Sequence, residues 1–505
     1  MLEKVIGCAL HGLKGEKVEV EVNISRGAKF LMVGLPDNAV KESHYRIAAS
    51  LKNIGYKIPV KEIIVNLAPA DLKKEGSSYD LPIALGILSA SKQIKTNKIC
   101  DYMVMGELSL DGMLRPIKGV LSMAVKAKEM GLKGLVIPYE NYNEASLVKN
   151  IQIIGAKSLK EVIEYFSQNK KITNSNTFQR NIQAYSEKLD FKDVIGQQIA
   201  KRAIEISAAG NHNILMIGPP GSGKSMLAER IPTILPDLNE EEILETTMIY
   251  SFIGKFNYRN GLVCNPPFRS PHHTVSDVAL VGGGSCPKPG EISLAHNGVL
   301  FLDELPEFKR KVLETLRQPL ENRKITISRA MNSVTFPANI MLVAAMNPSP
   351  NGHYLDFEKN SYSTFKAKQY LSKLSQPLLD RIDLQIEVDS IKIDNFSKKN
   401  NESENSLAIK ERVKSARNVQ VSRQGKCNSL LNSSELNKHC YLDEKSFNLI
   451  KRASEKQYFS ARSFSRIQKI ARTIADLEDS KEIRFNHVAE ALQYRSLDKM
   501  KFLQN

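Results

Sequence analysis

The sequence predicts a multidomain α/β protein. At 505 residues the chain is longer than one hydrophobic core usually supports. Strand-like and helix-like segments alternate over residues 1–166 and again over residues 191–395, whereas helical patterns dominate residues 409–505. Polar, aperiodic stretches at 167–190 and 396–408 indicate linkers between these three predicted domains.

Charge and cysteine content limit the classes of function. A formal net charge of +16 and an isoelectric point near 9.3 favour a polyanionic partner, although a solvated basic surface would give the same values. The six cysteines include no Cys-x-x-Cys pair, so neither a disulfide framework nor a zinc ribbon is expected. We find no apolar run long enough to cross a membrane and no signal peptide, so we expect a cytoplasmic protein.

Residues 1–166 contain the elements of a complete α/β domain. Lys17–Val22 alternates polar and apolar side chains with period two, which is typical of a half-buried strand, and Glu62–Leu67 predicts another strand. Leu81–Leu88 begins like a helix with proline in its first turn, and Val120–Met130 predicts a second, amphipathic helix.

The central domain carries a phosphate-binding loop. Gly218–Ser225 matches the pattern G-x-x-x-x-G-K-S between an apolar strand, Ile214–Ile217, and a predicted helix. Its glycines let backbone N–H groups face an anion, Lys224 can reach the β- and γ-phosphates, and the Ser225 hydroxyl can hold Mg²⁺. ATP with Mg²⁺ is therefore the predicted ligand. The predicted nucleotide contacts are Gly218, Pro219, Pro220, Gly221, Ser222, Gly223, Lys224, Ser225 and Met226.

Two carboxylates follow the next buried strand. Val299–Leu302 is a continuous apolar run of the kind found inside parallel sheets, and it ends at Asp303 and Glu304. Asp303 is predicted to support Mg²⁺ together with Ser225. Glu304 is predicted to orient or deprotonate the water that attacks the γ-phosphate.

A third buried strand, Ile340–Ala345, leads to Asn347. Alone, an Asn-Pro pair marks only a turn. Because it follows two nucleotide motifs, we predict that Asn347 lies beside the attacking water and senses the γ-phosphate.

Two arginine-containing segments complete a resemblance to a known family. Arg381 lies in Pro377–Asp383 and Arg462 in Ser460–Arg466. An arginine from a neighbouring subunit can neutralise charge on a phosphoryl group during transfer. In this order the motifs resemble AAA+ ATPases of the magnesium-chelatase branch. The resemblance implies that Arg381 is the trans-acting finger and Arg462 the sensor 2 arginine of a C-terminal helical lid, with Arg466 as a second candidate.

Further segments narrow the resemblance to the ComM/YifB family of magnesium-chelatase-like proteins. They are Phe268–Thr274, Gly282–Gly284, Pro289–Gly298 and Leu302–Phe308. The family implies an ATP hydrolase that acts as a DNA helicase and branch-migration motor, and that integrates single-stranded DNA by homologous recombination during natural transformation. The implied assembly is a homo-hexamer, with its dependence on nucleotide left open, and the implied partner is single-stranded or branched DNA.

Two other functions remain as alternatives, a magnesium-chelatase-type ATPase subunit and a protein-remodelling AAA+ ATPase.

Many relatives carry a cysteine cluster after the sensor asparagine, but this chain has no cysteine between Asn347 and Arg381, so zinc is not expected there. Adjacent histidines in an extended segment, such as His272 and His273, are expected to point to opposite sides, which favours a loop or pore-side role over a shared metal ion.

Residues 321–337 predict a β-hairpin just before the Asn347 strand. Related ring ATPases carry a hairpin that faces the pore. The resemblance therefore places Arg323, Lys324 and Arg329 where they could contact DNA phosphates. A structural hairpin with solvated basic side chains is the competing interpretation.

Met105–Gly119 resembles the proteolytic domain of Lon, with its ribosomal S5 domain 2-like fold, and supplies ATP-dependent proteolysis as a rival function. Lon-type cleavage uses a serine activated by a lysine. The resemblance places Ser78 at the nucleophile position but Leu121 where the lysine belongs. Because leucine cannot accept a proton, we expect a Lon-like domain without protease activity.

Overall fold

The computed structural model groups the chain into two compact units. The first comprises Met1–Gln183 with Glu240–Val263, and the second comprises Ala184–Asn239 with Cys264–Asn505. None of the helices it describes is long and apolar enough to cross a membrane. The residues described are 2–95, 98–168, 170, 172, 189–255, 262–284, 287–328, 333–349, 369–370, 372–390, 404–457 and 461–495.

Strands and helices alternate in both units. The strands are β1 (Leu2–His11), β2 (Lys14–Ser25), β3 (Phe30–Val33), β4 (Glu62–Ala68), β5 (Tyr102–Val104), β6 (Glu107–Leu108), β7 (Leu114–Arg115), β8 (Gly134–Pro138), β9 (Gln152–Ala156), β10 (Ile214–Ile217), β11 (Phe268–Arg269), β12 (Gly282–Gly283), β13 (Lys288–Pro289), β14 (Val299–Leu302), β15 (Lys324–Ser328), β16 (Ser333–Pro337), β17 (Met341–Met346) and β18 (Leu384–Glu387). The helices are α1 (Asn38–Lys41), α2 (Ser43–Asn53), α3 (Asp80–Ala90), α4 (Val120–Glu129), α5 (Tyr142–Ala145), α6 (Leu159–Gln168), α7 (Gln198–Gly210), α8 (Lys224–Ile234), α9 (Glu240–Phe252), α10 (Asp277–Val281), α11 (Glu291–Leu294), α12 (Arg310–Thr315), α13 (Arg317–Asn322), α14 (Gln376–Leu379), α15 (Ser406–Gln424), α16 (Ser433–His439), α17 (Glu444–Gln457), α18 (Ala461–Leu477) and α19 (Phe485–Gln493).

The first unit is built on a mixed sheet. Its described strands run in the order β3-β4-β2-β1-β5-β8-β9, with β2 antiparallel to both β1 and β4. The two strands predicted in this region lie inside β2 and β4, and the two predicted helices coincide with α3 and α4. In β2 the side chains of Val18, Val20 and Val22 are fully buried, as the period-two pattern predicts.

Helix α9 follows α8 in sequence but packs within the first unit. Its Leu244 and Met248 side chains contact the apolar core of that unit, and Glu240 pairs with Lys149 at 2.9 Å. These residues lie within the predicted domain 191–395, because that prediction follows contiguity along the chain. The contacts group them instead with the N-terminal residues.

The second unit is built on a parallel sheet. Its described strands run in the order β11-β14-β17-β10-β18, and each neighbouring pair is parallel. The apolar runs predicted as buried strands are found as β10, β14 and β17, and their hydrophobic side chains are buried. The carboxyl ends of these three strands therefore meet at one edge of the sheet. Both units contain sheets and helices, which confirms the predicted multidomain α/β fold.

The C-terminal helices pack on the same core as this sheet. Along α18 the side chains of Ile467, Ile470 and Ile474 are fully buried, so these residues form the core-facing side of an amphipathic helix. Arg462, in the first turn of α18, is exposed. Assignment of these helices as a lid stays a prediction.

Candidate nucleotide site

The phosphate loop joins β10 to α8 through glycines that no other residue could replace without strain. Gly221 and Gly223 have φ angles of 77° and 89°, in the left-handed region that favours glycine. A Cβ atom on Gly218 would lie 2.2 Å from the carbonyl oxygen of Val388. The loop thus approaches the neighbouring strand closely, and Lys224 begins the helix directly after the last glycine.

The Lys224 side chain turns back over this loop. Its Nζ atom donates to the carbonyl oxygens of Gly218 at 2.7 Å and Pro219 at 2.9 Å, and lies 3.3 Å from Asn347 Oδ1. Burial lowers the pKa of Lys224, and the nearby Asp303 carboxylate only partly offsets that effect. Since these three acceptors are neutral oxygens, an anionic phosphate would be a stronger partner for the ammonium group.

Ser225 and Asp303 bring two oxygen ligands together at the same edge. The Ser225 hydroxyl donates to Asp303 Oδ2 at 2.8 Å, and the other carboxylate oxygen accepts from the Glu304 backbone N–H at 2.9 Å. Hydroxyl and carboxylate oxygens are the ligands that Mg²⁺ prefers. The residues present therefore fit the predicted ion, which Ser225 and Asp303 would hold.

Glu304 has a neighbour that sequence reasoning missed. Its backbone has a φ of 51°, and its Oε2 atom lies 3.4 Å from Nδ1 of His273. The expectation that His272 and His273 point to opposite sides is wrong, because residues 272–275 form a turn in which the two tilted rings lie together, with centroids 4.0 Å apart. Among the described residues these histidines join no group of three metal-binding side chains. The pairing of β11 with β14 brings the histidine segment near Glu304, and no local pattern in the sequence signals that pairing.

The structure therefore brings five predicted residues to one edge of the sheet. Lys224 and Ser225 follow β10, Asp303 and Glu304 follow β14, and Asn347 follows β17. Their contacts with one another fit phosphate binding, Mg²⁺ binding and placement of a water molecule.

Arg381 lies at the opposite edge of the same sheet. It precedes β18, whose Leu384 and Glu387 pair in parallel with Ile214 and Ile217 of β10. The phosphate loop follows β10, so about 13 Å of strand separates the two edges, at roughly 3.3 Å per residue. The sheet thus keeps Arg381 away from the phosphate loop of its own chain.

The Arg381 side chain is buried and bound within its own unit. Its guanidinium donates to the Pro377 carbonyl at 2.6 Å, and its Nη2 atom lies 2.6 Å from Glu321 Oε1. Arg462 is exposed, and its Nη2 atom lies 3.6 Å from the same Glu321 oxygen. The predicted finger and the predicted sensor 2 arginine are therefore neighbours of each other, not of Lys224.

Arg466 is committed to a buried ion pair. It donates to Asp383 Oδ1 and, at 3.2 Å, to the carbonyl oxygen of Arg381. Burial raises the pKa of Asp383, but the charge of Arg466 and the neighbouring His212, whose Nδ1 atom lies 3.5 Å from Asp383 Oδ2, outweigh burial and hold that pKa well below its usual range. Arg466 therefore has a structural partner that Arg462 lacks.

The predicted hairpin is present, but its basic residues differ in placement. Strands β15 and β16 pair in antiparallel fashion. Arg323 ends α13 with a φ of 54°, its guanidinium donates to the Ile340 carbonyl, and burial lowers its pKa. Lys324 is exposed, whereas Arg329 lies outside the described residues. The remaining exposed side chains of the two strands are hydroxyls, on Thr326, Ser328, Ser333 and Thr335.

The region that resembles Lon has a polar cluster around Leu121 in place of a serine–lysine pair. Leu121 is fully buried in the first turn of α4, and its backbone N–H donates to Glu144 Oε1 at 3.2 Å. The Ser251 hydroxyl of α9 donates to the same carboxylate. Ser78 lies in a short 3-10 helix, Ser77–Tyr79, and its carbonyl accepts from Gly106.

Comparisons with known proteins identify the family of the chain. Three family models match: magnesium chelatase, subunit ChlI, at residues 190–396; subunit ChlI of Mg-chelatase at residues 20–141; and magnesium chelatase, subunit ChlI C-terminal, at residues 403–495.

Two relatives match almost the full chain, and a third matches about a quarter of it. Competence protein ComM of Haemophilus influenzae is 45% identical over 491 residues, covering 96% of both chains. The uncharacterized protein YifB of Escherichia coli is 43% identical and covers 97% of this chain and 96% of its own. Lon protease 2 of Bacillus subtilis is 33% identical over 126 residues, which are 25% of this chain and 22% of that protein. The chain therefore belongs to the ComM/YifB family of magnesium-chelatase-like AAA+ proteins.

Proposed function

We propose that the chain is an ATP-driven DNA motor that works as a homo-hexamer in the cytoplasm and migrates DNA branches. Its biological role would be the integration of single-stranded DNA by homologous recombination during natural transformation. The observation that carries this proposal is the cluster of Lys224, Ser225, Asp303, Glu304 and Asn347 at one sheet edge, in a close relative of a protein named for competence.

ATP hydrolysis at this edge would depend on positioning and charge. Lys224 would leave its carbonyl partners and neutralise the phosphates. Ser225 and Asp303 would hold Mg²⁺, which supplies further positive charge at the phosphates when it is bound. Glu304 would orient the attacking water, and Asn347 would contact the γ-phosphate.

A second copy of the chain would complete this site. Arg381 lies at the opposite edge of the sheet from its own phosphate loop, which supports a role for Arg381 on the nucleotide of a neighbouring subunit. Such head-to-tail contacts close into a ring, and the family resemblance gives six subunits. Arg462, which is exposed near Arg381, would act as sensor 2.

The β15–β16 hairpin would contact DNA through its polar face. Lys324 would attract phosphates, and the four exposed hydroxyls on these strands could donate hydrogen bonds to phosphate oxygens without reading sequence. Arg329, outside the described residues, remains part of the proposal. Arg323 does not, because its guanidinium is bound to the Ile340 carbonyl.

A branch-migration assay on a labelled four-way junction tests the proposed function. We expect ATP-dependent migration by the wild type and none by Lys224→Ala or Glu304→Gln. Lys445→Ala, which removes an exposed lysine elsewhere in the second unit, is the control and should behave like the wild type. Absence of DNA binding by the wild-type protein at low salt would refute the proposal.

Mixing two inactive variants tests the shared site. Lys224→Ala and Arg381→Ala subunits are each expected to hydrolyse ATP poorly alone. In mixed rings some interfaces combine an intact loop with an intact arginine, so part of the activity should return. No recovery in rings shown to be mixed would exclude a trans-acting Arg381.

The family models also support a second candidate, the ATPase subunit of a magnesium chelatase, because all three carry that name. Metal insertion into a porphyrin with partner subunits, without any effect of DNA on ATP hydrolysis, would favour it. We further propose that the first unit is not a protease. Ser78-dependent cleavage of casein with ATP would overturn that statement.

A further inference from the structure

Glu321 occupies a place from which it can connect the proposed arginine finger to the proposed DNA hairpin. It lies in the last turn of α13, and only Asn322 and Arg323 separate it from Lys324, the first residue of β15. Glu321 is therefore connected to the base of the hairpin through only two residues of the chain. Nothing in its local sequence marks it as part of a nucleotide site.

The carboxylate contacts both arginines assigned to the ATP site. Oε1 of Glu321 lies 2.6 Å from Nη2 of Arg381 and 3.6 Å from Nη2 of Arg462. Burial raises the pKa of Glu321, but the hydrogen bond and charge of Arg381 and the charge of Arg462 outweigh burial and lower that pKa. Glu321 is thus a charged partner of the two arginines.

The two sides of the ion pair differ in exposure. The Arg381 side chain is 6% exposed, whereas the Glu321 side chain is 46% exposed. Arg381 also donates to the Pro377 carbonyl, and its buried Nε atom has no hydrogen-bond partner within the part of the chain that is described. In this position the Arg381 guanidinium is almost fully covered, and its charge is already balanced by a carboxylate.

We propose that Glu321 is a positioning residue that holds Arg381 in a retracted position, and that displacement of the hairpin by DNA releases it. This inference rests on the proposed finger role of Arg381. When DNA moves β15 and β16, the last turn of α13 moves with them and separates the carboxylate from the guanidinium. Arg381 is then free to leave its pocket and reach the neighbouring nucleotide. DNA contact and ATP hydrolysis are coupled through one ion pair.

Steady-state ATP hydrolysis with and without single-stranded DNA tests the coupling. Glu321→Gln keeps the size of the side chain and removes its charge. We expect its kcat without DNA to rise about threefold to tenfold, as loss of a charged hydrogen bond to a buried group allows. KM for ATP should change less than twofold, and the further stimulation by DNA should fall towards none.

Glu314→Gln is the matched control. Glu314 lies in the preceding helix α12 and pairs with Arg317 at 2.8 Å, so the variant also removes a carboxylate from an arginine. It should keep the wild-type rate and the wild-type response to DNA. An equal rise in Glu314→Gln would show that loss of charge in this region, and not release of Arg381, raises the rate, and would overturn the inference.

The double variant Glu321→Gln with Arg381→Ala separates positioning from a structural role. If Glu321 acts only through Arg381, the double variant will have the rate of Arg381→Ala alone. A different rate would contradict the inference, as would a Glu321→Gln variant whose kcat is unchanged or lowered. If Arg381→Ala itself keeps wild-type activity, the finger assignment fails, and the inference fails with it. Loss of activity in Arg381→Ala with no rise in Glu321→Gln refutes only the inference.

Discussion

Two helices of this chain begin in the same way but differ in chemistry. Helix α8 follows Gly223, with a φ of 89°, and opens with Lys224; helix α4 follows Gly119, with a φ of 70°, and carries Leu121 in its first turn. Each start follows a left-handed glycine, and as at any helix N-terminus the first backbone N–H groups lack intrahelical partners. The side chains around those groups decide what each start can bind.

At α8 the surrounding groups remain open to a ligand. Lys224 is bound to neutral oxygens, and Ser225 pairs with a carboxylate that suits Mg²⁺. At α4 the chain has filled the position itself, because Glu144 accepts from the Leu121 N–H and from Ser251. A helix start is therefore an anion site only where no carboxylate of the protein already occupies it.

Removing the lysine from the open helix start should have the largest effect. We expect Lys224→Ala to lower kcat for ATP hydrolysis by about 100-fold or more, since it deletes a charge aimed at the transferred phosphoryl group. Phosphate release measures the rate. A melting temperature close to that of the wild type is the control for folding. Near-normal hydrolysis would show that the start of α8 needs no lysine, and would contradict the proposed difference between the two helix starts.

Removing the carboxylate from the filled helix start should affect stability instead. Glu144→Ala leaves the Leu121 N–H and the Ser251 hydroxyl buried without their acceptor, so we expect the free energy of unfolding of the first unit to fall by about 2–3 kcal/mol. Urea denaturation measures it. Glu140→Ala, an exposed glutamate nearby, should change it by less than about 0.5 kcal/mol. Equal losses in both variants would exclude a special role for Glu144.

The same carboxylate predicts a pH dependence. Burial raises the pKa of Glu144, although hydrogen bonds from Ser251, Asn141 and the Leu121 N–H act against burial. The folded state therefore keeps a proton that the unfolded state releases. The contribution of Glu144 to stability is greatest below its unfolded pKa of about 4.3 and declines as pH rises through its folded pKa. Glu144→Gln should flatten this decline in unfolding curves measured from pH 4 to 8. An unchanged slope would show that another group causes it.

The smallest effect is expected at His273. Its contact with Glu304 restricts the carboxylate that would orient water, and loss of one such contact should lower kcat by up to about tenfold. His272→Ala is the control, because the His272 ring lies beside His273 and its Nδ1 atom is hydrogen-bonded to the Thr274 hydroxyl. Equal activity of both variants would show that His273 does not position Glu304.

Motifs contiguous along the chain could be predicted, and contacts between distant segments could not. The phosphate loop carries its glycines, lysine and serine in eight successive residues, so the sequence alone predicts that it binds phosphate. By contrast, Arg323 was predicted to face DNA, yet its guanidinium is bound to the Ile340 carbonyl. Whether a basic side chain ends in solvent or on a carbonyl depends on how the chain packs, and local sequence does not specify that.

The sequence by itself determined the α/β character of the chain, its buried strands and the residues that follow them. Those features follow from the period of the hydrophobic residues and from the backbone conformations that glycine allows, and both are local properties of the sequence. The tertiary structure decided three other matters: the placement of α9 in the first unit, the contact between His273 and Glu304, and the position of Arg381 across the sheet from its own loop. Each depends on which strands or helices pair, and pairing is set by burial over the whole unit.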